Sequence, residues 1–164
     1  MNQDLRTLYG WVKQSRAMVF DYTHRLPRGV YTHERPDFAY GSIRNIHAHT
    51  ADCYLWWIEQ IGLGRPHSAV SPPSLVDTAA MRAYFDRVDA VMEEALETFT
   101  DPDRVYVCNH PNPEVRLTVS QRWLVMHPVT HEFHHKGQML ALGRVLGHPA
   151  VFEGGQDTDL LNPR

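Results

Sequence analysis

The chain has 164 residues and a formal net charge of −3, with 43% hydrophobic and 21% charged residues. This length and composition are typical of one soluble domain with its own core, and the net charge excludes a broad cationic surface for nucleic acid. We see no apolar run of the roughly 18 residues that a membrane span needs, and the first residues lack the pattern of an export signal.

A first helix is predicted over residues 4–24. Apolar side chains recur there at alternating spacings of three and four, which is the pattern of a helix packed in a bundle. Pro27 and Gly29 end this helix. The stretch that follows, up to Gly41, holds another proline and scattered aromatic residues, and it is predicted to be a crossing loop.

A second helix is predicted to begin at Ser42, a good N-cap residue, and to end near Gly62. A histidine in line with core residues needs a polar partner, so His49 is a candidate for function. His47 lies off that line, and we expect it to be peripheral. The side chains on the inner stripe of this helix are Ile46, His49, Cys53, Trp56 and Gln60.

Two more helices are predicted, over residues 75–99 and 119–146. The connection at 101–117 is rich in proline and asparagine and is expected to contain at most a short hairpin. Pro128 falls inside the last helix, where it removes one backbone donor, so we expect a kink there. The alternative is a helix that begins near Pro128, since proline is favoured in a first turn. Four long helices in a single domain, taken as residues 1–164, indicate an all-α four-helix bundle with long crossover loops.

The fourth helix carries a metal-binding pattern. Residues 131–135 read HEFHH, which satisfies the H-E-x-x-H pattern of zinc proteases. Two histidines four residues apart share a helix face and can hold one ion. The protease extensions are missing, because Gln138 replaces the metzincin glycine and a third ligand at Glu153 would follow a Gly-Pro break. We therefore expect a metal site without proteolysis.

His131 and His135 supply two ligands, and His49 is the best third candidate. Bundles build metal sites from facing helices, and three neutral imidazoles suit zinc first, with nickel, cobalt or iron behind it. Gln138 either hydrogen-bonds a ligand or bound water, or only adds polarity at the bundle opening. Glu132 is a candidate base, but it points about 100° away from the neighbouring ligand and is expected to face solvent.

Four other side chains are pocket candidates. His127, one turn before His131, is expected to support the site rather than bind the metal. Trp56 and Trp57 either line the pocket mouth or pack in the core. Cys53 is expected to be a buried, inert thiol. The other histidines outside the site are interpreted as surface residues: His24, His33, His67, His110 and His148.

Two motifs carry a family resemblance. Residues 42–57 contain a serine-led helix start, a histidine and, seven residues later, a tryptophan, and they resemble the second-helix signature of the DinB/YfiT-like family. Residues 131–138, HEFHHKGQ, resemble its fourth-helix signature. The resemblance extends over about residues 5–146 and implies a four-helix bundle with a divalent-metal site. The ligands that it implies are His49, His131 and His135.

The resemblance also implies a function. Some relatives transfer low-molecular-weight thiols such as bacillithiol onto electrophiles, so we expect a metal-dependent thiol S-transferase with a small thiol as cosubstrate. The alternatives are a non-catalytic metal-binding stress protein and a metal-dependent hydrolase. Expected partners are a small thiol and an electrophile, with no nucleic acid and no membrane. Trp11 and Trp123 lie outside the inner stripes and are compatible with a homodimer, and two cysteines without an export signal indicate a cytoplasmic protein.

Overall fold

A computed structural model describes residues 3–109, 114 and 116–152. The described chain is mostly helical, with one small two-stranded sheet. The helices are α1 (Gln3–Arg25), α2 (Arg28–Tyr31), α3 (Ile43–Tyr54), α4 (Thr78–Thr98) and α5 (Gln121–Val145). The strands are β1 (Val105–Asn109) and β2 (Arg116–Ser120), and a 3-10 turn covers Pro72–Ser74. In this part of the chain, every helix is too short or too polar to cross a membrane.

Side-chain caps fix where three long helices begin. The Ser42 hydroxyl accepts a hydrogen bond from the backbone N–H of Asn45 at 3.2 Å, as predicted for the start of α3. The Asp77 carboxylate accepts from the backbone N–H of Ala80 at 2.9 Å. Helix α4 therefore begins at residue 78 rather than at the predicted 75. Ser120 caps α5 in the same way.

The second half of the predicted second helix departs from α-helical geometry. After Tyr54 the chain continues as a π-helical segment, Leu55–Gly62. A π turn contains more residues than an α turn, so the side chains that follow Tyr54 shift round the helix axis. The regular spacing that placed Trp56 on the inner stripe therefore does not hold there, and it is Trp57 that packs against the core.

Helix α3 is enclosed by other helices. It contacts α4 and α5 directly, while α1 packs against the same two helices. The centre of the core contains fully buried side chains from α3, α4 and α5, among them Tyr54, Met92 and Leu124. Because α3 has neighbours on several sides, off-stripe residues such as His47 and Thr50 are buried as well. The prediction that His47 is peripheral is wrong for this reason.

The connection before α5 forms the short hairpin that the sequence allowed. Strands β1 and β2 pair antiparallel, with Val107 opposite Thr118. Cys108 and Val119 are buried against the helices, whereas Val105 and Val107 are exposed. Val119 belongs to β2, so α5 begins two residues later than predicted. The hairpin is a small addition to an otherwise helical fold, and it leads directly into the helix with the HEFHH motif.

Candidate metal centre

Three histidines converge where α3 meets α5. Nε2 of His131 lies 3.2 Å from Nε2 of His49 and 3.2 Å from Nε2 of His135. One ligand atom from each of the three residues lies within 4.8 Å of the others. The structure thus brings together residues 49, 131 and 135, the set that the spacing within each helix selected.

The distances and protonation of these nitrogens suit a shared cation. In a tetrahedral site with metal–nitrogen bonds of 2.0–2.1 Å, ligand nitrogens are about 3.4 Å apart. His135 Nδ1 lies 2.7 Å from Gln138 Oε1, and this contact assigns its proton to Nδ1 and a lone pair to Nε2. His131 Nε2 carries at most one proton, so it cannot donate to both neighbours. A cation accepts all three lone pairs and removes this conflict, so the residues fit a divalent ion.

The local electrostatics keep these imidazoles neutral. Burial, followed by the neighbouring imidazoles, lowers the pKa of His131 to about 3. Burial also lowers the pKa of His49 and of His135. All three are therefore in the neutral form near pH 7, which is the form that binds metal.

Gln138 connects the site to solvent. Its Oε1 atom contacts His135 Nδ1, as described above, and its Nε2 atom lies 3.1 Å from Nε2 of the exposed His134. Of the two roles that the sequence left open for Gln138, the structure shows a hydrogen bond to a predicted ligand. Such a bond fixes the ring orientation and the tautomer of a metal-binding histidine.

Three aromatic rings extend from His131, those of Trp57, Trp123 and His127, and they are here called the aromatic wall. Trp123 and His127 stack with ring centroids 4.4 Å apart and an interplanar angle of 8°. Trp57 meets both rings edge-on, at 4.7 Å and 5.3 Å. The His127 ring lies 5.7 Å from the His131 ring, and Trp123 is 37% exposed, so the wall joins the three histidines to solvent.

The other pocket candidates take different positions. Trp56 is partly buried. Cys53 is buried, and burial raises the pKa of its thiol to about 12, as expected for an inert cysteine. Trp123 was predicted as a residue off the inner stripes that is compatible with a homodimer, and not as a residue of the site. Its membership of the wall depends on the hairpin and on the turn of the π-helical segment, which no periodicity reveals.

Tyr40 is a site residue that the sequence pattern did not reveal. Its ring stacks on the His49 ring at 4.1 Å with an interplanar angle of 20°. Its hydroxyl oxygen lies 2.9 Å from His49 Nε2. Tyr40 belongs to the crossing loop between α2 and α3, and a loop has no periodic signal that could place its side chains.

Glu132 faces the core, so the expectation that it faces solvent is wrong. It is 7% exposed, and its carboxylate accepts two hydrogen bonds from the Arg16 guanidinium, at 2.8 Å and 2.9 Å. The Tyr54 hydroxyl donates a third at 2.7 Å. Arg16 also pairs with Asp89. These four residues, here called the buried network, join α1, α3, α4 and α5.

Two further histidines are placed differently from the prediction. His47 is enclosed by Phe20 and Phe85, and burial lowers the pKa of its imidazole to about 3. The His67 side chain is 2% exposed and lies 3.4 Å from the Asp52 carboxylate, so it is not a surface residue. His24 and His33 are exposed as expected, His148 is partly exposed, and His110 and Glu153 lie outside the described residues.

Comparison with known protein families identifies a match over most of the chain. A family model described as the DinB family matches residues 1–157. Among curated proteins, none matches the chain. The matched range contains both signature motifs and all three converging histidines.

Proposed function

Because the chain belongs to the DinB family, we propose that it is a metal-dependent transferase that activates a small thiol for attack on an electrophile. The proposed metal ligands are His49, His131 and His135, with zinc as the preferred ion. We further propose that α1, α3, α4 and α5 form a four-helix bundle and that residues 1–164 are one domain. The packing of α1 and of α3 against both α4 and α5 supports this arrangement.

The observation that carries the proposal is the convergence of three neutral imidazoles, two of which are only half-buried. The three ligand atoms lie within 4.8 Å of one another, and His49 and His131 are partly exposed. Three protein ligands with solvent access are typical of a catalytic metal site, because a structural site uses four. A small molecule can therefore reach the remaining position.

A divalent ion held there would lower the pKa of a thiol beside it and supply a thiolate near pH 7. The side chains provide the rest. Gln138 holds the His135 ring in its metal-binding tautomer. The aromatic wall offers a partly exposed apolar surface next to His131 on which an electrophile can lie.

The chain's own cysteines do not provide this nucleophile. Cys53 and Cys108 are its two cysteines, and both are buried. Burial raises the pKa of each thiol, to about 12 for Cys53. A buried thiol with a raised pKa is a poor nucleophile. The reactive thiol must therefore come from a second, small molecule.

Peptide hydrolysis is disfavoured by the position of Glu132. In H-E-x-x-H proteases the glutamate acts as the general base beside the metal. Here the Glu132 carboxylate is engaged by Arg16 and Tyr54 in the buried network. It is therefore unavailable to a substrate at the three histidines, and we assign it a structural role.

Metal content and thiol binding test the proposal together. Wild type, His49→Ala and the control His134→Ala would be loaded with Co²⁺ and analysed for bound metal. Each loaded protein would then be titrated with 2-mercaptoethanol while its near-ultraviolet spectrum is followed. We expect one Co²⁺ per chain in wild type and His134→Ala, none in His49→Ala, and a new sulfur-to-cobalt absorption band on titration.

Transfer of the thiol to a chromogenic electrophile completes the test. Wild type should show transfer that depends on metal, and His49→Ala should show none. Metal binding without any response to the thiol would overturn the transferase proposal in favour of a hydrolase or a non-catalytic metal-binding protein. A wild type that binds no metal would overturn the three-histidine site itself.

A further inference from the structure

Tyr40 adopts a backbone conformation that is uncommon for an aromatic residue. Its φ angle is +60°, and it is the only residue other than glycine with a positive φ in the described part of the chain. Side chains with a Cβ atom are disfavoured there, and such conformations concentrate at functional sites. Tyr40 is 48% exposed, so burial of its side chain does not account for this conformation.

The loop around Tyr40 is held by several hydrogen bonds. The Asn45 side-chain amide donates to the Tyr40 carbonyl at 2.9 Å. The next residue, Gly41, also has a positive φ, accepts from the Arg35 N–H at 2.8 Å and donates to the Phe38 carbonyl at 2.9 Å. The loop is thus built to keep the Tyr40 backbone in its disfavoured region, and this fixes where the side chain lies.

The side chain lies on the outer side of the three histidines. It covers the His49 ring, and its ring centroid is 5.4 Å from that of His135. The aromatic wall contacts the other end of the site, through His131. Tyr40 thus contacts His49 and His135, whereas the wall contacts His131.

The hydroxyl of Tyr40 contacts the nitrogen that is needed for metal binding. It lies 2.9 Å from His49 Nε2, the atom that also lies 3.2 Å from His131 Nε2. An unprotonated imidazole nitrogen has one lone pair, so it cannot coordinate a cation and also accept a hydrogen bond from a phenol. If a cation takes the lone pair of His49 Nε2, the Tyr40 hydroxyl can donate its hydrogen to another acceptor in the site.

We propose that the Tyr40 hydroxyl donates a hydrogen bond to the small ligand that enters beside the three histidines, and that it orients the ligand's donor atom. The acceptor is the atom by which the ligand would bind the ion, such as the sulfur of a thiolate, the nitrogen of azide or the oxygen of water, since each carries lone pairs and partial or full negative charge. Hydrogen bonds to charged acceptors are the stronger class. This inference rests on the proposed metal site but does not require that the ligand be a thiol.

Ligand affinity of the Co²⁺-loaded protein tests the role of the hydroxyl. Wild type and Tyr40→Phe would be titrated with 2-mercaptoethanol and separately with azide, and cobalt absorption would report ligand binding. Tyr106→Phe, on strand β1, is the matched control, because it removes a hydroxyl that accepts a hydrogen bond from the side-chain amide of Gln121. Melting temperatures would confirm that Tyr40→Phe, which keeps its ring, is folded.

We expect Tyr40→Phe to bind one Co²⁺ per chain and to bind the thiol roughly tenfold more weakly than wild type and Tyr106→Phe do. If wild type, Tyr40→Phe and Tyr106→Phe all bind the thiol with the same affinity, and all bind azide with the same affinity, the inference is overturned. So would weaker cobalt binding with unchanged ligand affinity, because the hydroxyl would then act on His49 alone.

The two proposals fail in different ways. If wild type ignores the thiol but binds azide, and Tyr40→Phe binds azide more weakly, the role of Tyr40 is supported while the thiol transferase fails. If wild type binds the thiol and Tyr40→Phe binds it equally well, the transferase survives and the role of Tyr40 is overturned. A wild type without cobalt overturns both.

Discussion

Helix α5 presents two polar faces that differ in how fully they are satisfied. His131 and His135 face α3, where their Nε2 atoms and that of His49 lie close together. These nitrogens have too few protons for each contact to be a hydrogen bond. Glu132 and Lys136, one position further along, face α1, where Glu132 pairs with Arg16 and Lys136 donates to Ser15 at 2.8 Å. Adjacent helix positions are about 100° apart, so one short sequence serves both faces.

This contrast separates a structural cluster from a binding site. A buried polar network whose members all have partners holds a fold in one arrangement. A cluster with uncompensated lone pairs and access to solvent is instead suited to an added ligand. On this reasoning the buried network stabilises the packing of the helices, and the three histidines are suited to hold an ion. The two clusters should respond to mutation in opposite ways.

The largest loss of stability is expected for Glu132→Gln, which keeps the shape of the side chain but leaves the Arg16 guanidinium without its main partner. Breaking a buried ion pair costs about 3–5 kcal/mol of unfolding free energy. Urea unfolding of the metal-free protein measures this loss. Glu93→Gln is the control, because its pair with Lys13 is exposed, at 57% and 38%, and is worth at most about 1 kcal/mol. Equal losses in both variants would contradict the structural role of the network.

The reactivity of the Cys53 thiol gives a similar test on α3, the helix that carries His49. Its pKa is raised from an ordinary value near 9 to about 12. At pH 8 the thiolate fraction is therefore roughly a thousandfold smaller than for a free thiol, and it rises as the pH approaches 12. We expect slow labelling by iodoacetamide in the native protein and rapid labelling in urea, measured by mass spectrometry of the Cys53 peptide. Rapid labelling of the native protein at pH 8 would show that the Cys53 thiol is reactive and accessible rather than inert.

Substitution of Gln138 measures how much metal binding by the three histidines depends on the hydrogen bond between Gln138 and His135. Gln138→Leu removes the acceptor for His135 Nδ1, and loss of such a contact typically weakens metal binding by about 10- to 100-fold. Competition with a metal chelator gives the affinity. Gln14→Leu, an exposed change on α1, is the matched control. Gln138→Glu keeps an acceptor and should retain most of the affinity, and an unchanged affinity in Gln138→Leu would remove the supporting role.

The smallest change in stability is expected for His131→Ala. This substitution should abolish metal binding. It should alter the unfolding free energy of the metal-free protein by no more than about 1 kcal/mol, because His131 is partly exposed. In the absence of a cation, His131 Nε2 also cannot donate a hydrogen bond to both neighbouring nitrogens. Urea unfolding and elemental analysis of the same sample give both quantities. A loss as large as that of Glu132→Gln would mean that both faces of α5 are structural.

Regular spacing was sufficient for much of the fold and for the three histidines. Helices α1 and α5 lie close to their predicted bounds, and Ser42 caps α3 as predicted. His131 and His135 were paired by their separation of one turn, and His49 by its place on an apolar stripe. Within one α-helix, spacing along the chain determines direction round the axis, so these inferences needed no knowledge of the neighbours.

Spacing failed where the local geometry changed or where the answer depended on another element. The π-helical segment rotates the residues after Tyr54, so Trp57 takes the position expected of Trp56. Glu132 points about 100° from His131 as expected, but that direction leads to Arg16 on α1 rather than to solvent. The same holds for His47, which is enclosed because α3 has neighbours on several sides.

The sequence alone thus determined which histidines share a face and which family the chain resembles, because both depend on residue types at short separations. Only the tertiary structure decided that Tyr40 lies on His49, that Trp123 joins the aromatic wall, and that Arg16 neutralises a carboxylate 116 positions away. Those contacts depend on how a loop, a hairpin and a distant helix are packed. Spacing along one element carries no information about the element that packs against it.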